Sequence, residues 1–207
     1  MSATPKPPTS PRALILAGEA RARAAQLRYL GLTVVERIVR NLRARGVTEI
    51  SIAGDVDLPS ELEDRDAITR LPLESDGAAI AGAAEDAAAA DVPLLVLPAD
   101  VVFHPQLAPR VVAQQAEGGA PLLVASESNE HAALLIAPRA LEGNELPAGN
   151  LARVVAALAS REALQRVRLV ERWSREERDS LFVVPAQPQA LGRAGRLLMK
   201  LNWRPHD

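Results

Sequence analysis

Two stretches set chemically capable residues at the ends of apolar runs. The first, Ala13-Leu-Ile-Leu-Ala17, opens into Gly18 and then reaches Arg21 and Arg23. A glycine directly after a strand lets the backbone approach a bound group closely, and two nearby guanidinium groups would favour an anion. The same residues also suit a tight turn followed by a solvated helix face, since a single glycine after a strand is common. The second stretch, Leu94-Leu-Val-Leu-Pro-Ala-Asp100, ends an apolar run in a carboxylate. There the Asp is an oxygen ligand of the kind Mg²⁺ prefers, or else a turn or helix N-cap. Asp76-Gly77, ahead of an Ala-rich segment, suits an N-cap with its turn.

Other chemistry finds little footing. His104, His131 and His206 are too scattered for zinc, which needs convergent ligands at short spacings, and each reads as a surface or turn histidine. Ser126 and Ser128 lie in no Gly-x-Ser-x-Gly elbow. Asp55 and Asp57, in Gly54-Asp-Val-Asp57, read as a solvated turn. With no cysteine, disulfides, thiolate zinc sites and iron–sulfur clusters are excluded, and a reducing compartment is expected.

The chain of 207 residues suits one large domain, and its balance of 48% hydrophobic and 24% charged residues is that of a globular protein. Aromatics are only 2%, so the core must be built from Ala, Leu, Val and Ile. The same scarcity, with a net charge of -2, leaves neither stacking platforms nor a basic surface for nucleic acid. Residues 1–11 are rich in Pro, Ser and Thr and read as a disordered leader without a signal-peptide core. No apolar run approaches the roughly 18 residues of a membrane span, so a soluble, cytoplasmic chain is expected.

The elements that must position these residues follow from periodicity. Apolar runs at 13–17, 49–53, 93–97 and 121–125 read as strands buried on both faces of a parallel sheet. Between them, Val34 to Arg45 is amphipathic with Gly46 as its C-cap, 75–91 is Ala-rich and helical, and 106–117 repeats a helical period. Runs at 132–137 and 180–184 continue the strand signal, with helices expected at 150–159 and 188–201. Alternation of this kind predicts an α/β fold with a doubly wound, mostly parallel sheet over 12–201 as one domain.

Leu16-Ala-Gly-Glu-Ala-Arg-Ala-Arg23 resembles the opening signature of GT-A-type nucleotidyltransferases, in which a strand leads to a Gly-rich loop and an Arg that contacts the triphosphate. The segment from Leu32 to Ile50 is similar to that family's first helix and second strand, and Leu94 to Pro105 to its strand ending in a metal-binding Asp. Asp76-Gly77 resembles the family segment that faces the nucleotide base. The resemblance implies a Rossmann-like GT-A architecture, nucleotide contacts from Ala17, Gly18, Arg21, Arg23, Asp76 and Gly77, and Asp100 as the catalytic residue holding Mg²⁺.

Two parts of the family's apparatus are missing. Val184 and Ala186 stand where a second metal-binding carboxylate is expected, and Gln26 to Leu32 offers only Arg28 in place of a Lys. The ending Leu197 to Asp207 is similar to the junction in fusions of a cytidylyltransferase-like domain with a membrane CDP-alcohol phosphatidyltransferase, so 202–207 read as a tail or junction. The resemblance therefore implies transfer of CMP from CTP to a phosphorylated alcohol such as an inositol phosphate, in phospholipid head-group synthesis. Its rival is a non-catalytic pseudoenzyme that regulates or scaffolds such a phosphatidyltransferase at the inner face of the membrane.

Overall fold

A computed structural model describes residues 10–66, 68–118, 122–125, 129–141, 145–160, 164–166 and 183–186. Along the chain run β1 (Arg12–Leu16), α1 (Glu19–Ala25), β2 (Arg28–Tyr29), β3 (Leu32–Thr33), α2 (Val34–Arg43) and β4 (Ile50–Ala53). Then come α3 (Ser60–Asp66), β5 (Thr69–Leu71), α4 (Asp76–Ala89), β6 (Leu94–Pro98), β7 (Val101–Phe103) and α5 (Leu107–Gly118). The rest comprises β8 (Leu122–Ala125), a 3-10 turn at Asn129–His131, β9 (Ala133–Ile136), α6 (Leu151–Ala159), β10 (Leu164–Arg166) and β11 (Val183–Pro185).

Seven strands form one sheet in the order β10-β8-β9-β6-β1-β4-β5. β1 lies at its centre, parallel to both β4 and β6, and β5 adds in parallel to β4. The expected doubly wound, mostly parallel sheet is present. One strand runs the other way: β9 is antiparallel to β6 and to β8.

The continuous apolar run of β1 is explained by helices on both faces. Ala13, Ile15 and Ala17 face a layer containing Ile38, Val39 and Leu42 of α2 and Leu107 and Val111 of α5. Leu14 and Leu16 face the opposite layer, with Ile80 and Ala87 of α4 and Val154 and Leu158 of α6. A strand with no solvent face can carry no polar alternation, which is why 13–17 and 94–97 read as unbroken apolar runs.

Local signals set the helix ends. Thr33 and Glu36 form a reciprocal capping box at the start of α2, with the Glu36 N–H donating to Thr33 Oγ1 at 3.2 Å and the Thr33 N–H to Glu36 Oε2 at 2.7 Å. Gly46 follows α2 with φ +81°, as a left-handed cap requires.

The short hairpin of β2 and β3 turns through Leu30 and Gly31, both at positive φ. Arg37 clasps it, donating to the Tyr29 carbonyl at 2.7 Å and lying over the Tyr29 ring.

The apolar run at 180–184 contributes β11, which pairs antiparallel with β7 in a separate ribbon and not with the large sheet. Ala186, just beyond β11, donates its N–H to the Asp100 carbonyl at 2.7 Å. The helix expected at 188–201 lies outside the described residues, as do the leader up to residue 9 and the tail from 202 to 207.

Candidate functional site

Because β1, β4, β5 and β6 are parallel, their carboxyl ends lie along one edge, where loops enter helices and ligands bind in open α/β sheets. Gly18 follows β1, Gly54 follows β4, Ser75 and Asp76 open α4 after β5, and Asp100 follows β6. Two clefts meet at Gly18 and Leu73. One, of about 710 Å³, is lined by Arg21, Asp76, Asp100, His131, Asn150 and Ala186 among others. The other, of about 920 Å³, lies between Ala17, Gly54, Asp55, Asp57 and Pro72.

Arg21 links two carboxylates of the first cleft, Asp76 and Asp100. Its Nη1 donates to Asp76 Oδ1 at 3.1 Å and Oδ2 at 2.8 Å, and its Nε lies 3.5 Å from Asp100 Oδ1. Asp76 is buried, and its Oδ2 also accepts the Leu151 N–H at the start of α6, at 2.7 Å. That helix is capped independently by Asn150, whose Oδ1 accepts the Arg153 N–H at 3.1 Å. Asp76 thus ties α1, α4 and α6 together through one carboxylate.

The N-cap alternative for Asp76 is overturned. Ser75 caps α4, its Oγ accepting the Ala78 N–H at 3.1 Å, while Asp76 is the first helical residue and turns toward Arg21. Gly77 is needed for a close approach: a Cβ there would lie 2.2 Å from the Pro147 carbonyl oxygen. Its N–H also donates to the Gly149 carbonyl at 3.2 Å, so the loop before α6 is seated on this glycine.

Of the two arginines expected to meet phosphate, Arg21 lies in the cleft, whereas Arg23 is exposed and lines neither cleft. Arg28, on β2, is likewise exposed and outside both. Gly18 has φ -58°, open to any residue, so the turn does not depend on its being glycine. Gly54 is the position that does, with φ +108°.

His104 and His131 stand in turns, as one arm of the expectation has it, but neither is exposed. His131 is not a surface residue: its side chain is largely buried, and its Nε2 lies 3.3 Å from Asp100 Oδ2. His104 is in a turn but buried, its Nδ1 accepting the Gln106 N–H at 2.9 Å before α5. His206 lies outside the described residues. Asp55 and Asp57 are exposed or nearly so on the wall of the second cleft, as a solvated turn requires.

Asp100 Oδ1 is buried and makes no hydrogen bond. A carboxylate oxygen left so is suited to a metal ligand, since burying one without a partner is costly. Among the described residues no group of three or more His, Cys, Asp or Glu converges to hold a metal. Ala186, whose N–H bonds the Asp100 carbonyl, lines the same cleft and offers only a methyl group. One free carboxylate oxygen fits Mg²⁺ in the mode where one or two carboxylates and substrate phosphates share the ion, not a cage made by protein alone.

No described helix is long and apolar enough to cross a membrane. Residues 13–168 match the model of the MobA-like NTP transferase domain. No curated protein matches the chain in sequence. The solved structure of a putative glucose-1-phosphate thymidylyltransferase from Bacillus anthracis, in complex with a sucrose, is similar in fold with a TM-score of 0.59 at 12% identity, over 95% of this chain and 97% of that one.

Proposed function

The chain belongs to the MobA-like NTP transferase family, and from that premise we propose that it transfers a nucleoside monophosphate to a phosphorylated alcohol, with CTP as nucleotide and an inositol phosphate as the model acceptor. In the reaction a phosphate oxygen of the acceptor attacks the α-phosphorus, the bond from that phosphorus to the α–β bridging oxygen breaks, and pyrophosphate leaves. The observation that carries the proposal is the unsatisfied Asp100 Oδ1 at the carboxyl end of β6, beside a guanidinium in a cleft of nucleotide size.

Each residue has a part in this reading. Mg²⁺, held by Asp100 and the phosphates, would supply charge neutralisation at the reacting phosphorus and the leaving group. Arg21 orients the triphosphate, and Asp76 fixes Arg21. Ala17 and Gly18 leave backbone without side-chain bulk where the phosphates pass, and Gly77, behind the cleft lining, seats the Gly149 loop that would face the base. Removing one such charge contact commonly costs a factor of about 10² to 10³ in rate. The product would serve a membrane CDP-alcohol phosphatidyltransferase.

A pyrophosphate-release assay with CTP, Mg²⁺ and a panel of polyol and sugar phosphates tests the proposal. Silence across the whole panel, and with the other nucleoside triphosphates, would sink it.

Two observations favour the second reading, a non-catalytic domain that binds or scaffolds a partner enzyme. Ala186 supplies no side-chain ligand beside Asp100, and Arg28 stands outside the cleft. Under that reading Asp100→Ala leaves cellular function intact, and a null phenotype from that change alone refutes it.

A further inference from the structure

We propose that Arg21, anchored by Asp76, is a built-in counter-ion that keeps free divalent metal off Asp100 until a nucleoside triphosphate arrives. The proposal rests on the nucleotidyl-transfer reading, since it takes Asp100 to be the metal ligand.

The asymmetry of the guanidinium carries the argument. Arg21 Nη1 makes two hydrogen bonds to Asp76, at 3.1 and 2.8 Å, whereas its Nε stays 3.5 Å from Asp100 Oδ1 without hydrogen bonding to it. Asp76 cannot follow Arg21 toward Asp100, because its Oδ2 is also fixed by the Leu151 N–H at 2.7 Å. The cation is therefore held close enough to Asp100 to offset the cost of burying that carboxylate, yet too far to occupy its Oδ1 lone pairs.

Two consequences follow from charge alone. A bare divalent ion approaching Asp100 meets a fixed positive charge a few ångströms away, and in a partly buried cleft that repulsion is weakly screened. A triphosphate reverses the balance, because its oxygens neutralise Arg21 and bring ligands that one carboxylate cannot supply. Metal then enters with the nucleotide and not before it. Without Arg21, Asp76 and Asp100 would both face the vacated volume with no cation between them.

Mn²⁺ binding to nucleotide-free, full-length protein, read from the electron paramagnetic resonance of free Mn²⁺, tests this. Arg21→Gln is expected to bind Mn²⁺ about tenfold or more tightly than wild type, on removal of one adjacent positive charge. Arg21→Lys, which keeps the charge, gains little, and adding Asp100→Asn to Arg21→Gln abolishes the gain. Arg21→Met replaces Arg21→Gln should the latter not fold, with the same gain expected. An affinity that stays at or below wild type in the neutral variant overturns the proposal, as does a gain that survives Asp100→Asn. An active wild type with no Mn²⁺ gain removes the counter-ion alone; a gain in a chain that transfers nothing removes the transfer reading instead.

Discussion

A Cβ on Gly54 would stand 2.4 Å from the carbonyl oxygen of Ala17, with Gly54 itself at φ +108°. The two residues pack together at the ends of β4 and β1, on the wall of the second cleft. Any side chain at Gly54 must both adopt a left-handed backbone and push β1 aside. Gly54→Ala is therefore expected to destabilise the fold by about 2 to 4 kcal/mol in chemical denaturation. Gly18→Ala is milder, because its Cβ would meet only the movable tip of Leu73, at 2.9 Å. Equal losses at the two positions would contradict this assignment.

Gly77 makes a similar demand on a different pair of elements. Its Cβ would overlap the Pro147 carbonyl oxygen, so Gly77→Ala forces the loop before α6 away from α4. The Asp76 bond to the Leu151 N–H spans the same gap and should weaken with it. Hydrogen exchange at the Leu151 amide is expected to speed up in Gly77→Ala, with protection retained in the β1 amides. Unchanged exchange at Leu151 would show that the loop is seated some other way.

Tyr29 gives a pH-dependent signal free of overlap, since it is the only tyrosine in the chain. Burial raises its phenol above the ordinary value, against the opposing pull of the Arg37 guanidinium. The folded state thus favours the neutral ring; that contribution is fully present below about pH 10 and is lost as pH rises through the folded value. Alkaline titration by ultraviolet absorbance should find ionisation above the range of a free tyrosine. Its Oη is buried without a hydrogen bond, so Tyr29→Phe is expected to cost no stability.

Much of the scaffold was legible because β1 and β6 are buried on both faces and therefore write unbroken apolar runs. Their ends locate Gly18 and Asp100 without further help. The direction of β9 was not legible, since an apolar run at 132–137 reads alike in either sense. Direction decides the chemistry: with β9 antiparallel to β6 and Val96 opposite Leu134, the residues just before β9 fall beside those just after β6. His131 comes to Asp100 for that reason, and an antiparallel reading of 132–137 would have found it.

The pairing of Arg21 with Asp76 was hidden differently, because it joins two helices at positions 55 residues apart and depends on a Leu151 N–H that no side-chain pattern reports. Separate recognition of Arg21 and Asp76 as nucleotide contacts gave the members of the pair but not the bond between them. Ser75, one residue earlier, carries the cap that the sequence reading gave to Asp76.

The most direct test of nucleotidyl transfer compares pyrophosphate release by wild type and Asp100→Asn, with CTP, Mg²⁺ and inositol phosphate, after both are shown to be folded by circular dichroism. Release by wild type, falling at least about 100-fold in the variant with its thermal midpoint nearly unchanged, is the expected result. Equal release by both proteins would contradict the role given to Asp100, and no release by wild type with any nucleotide or acceptor would contradict transfer itself.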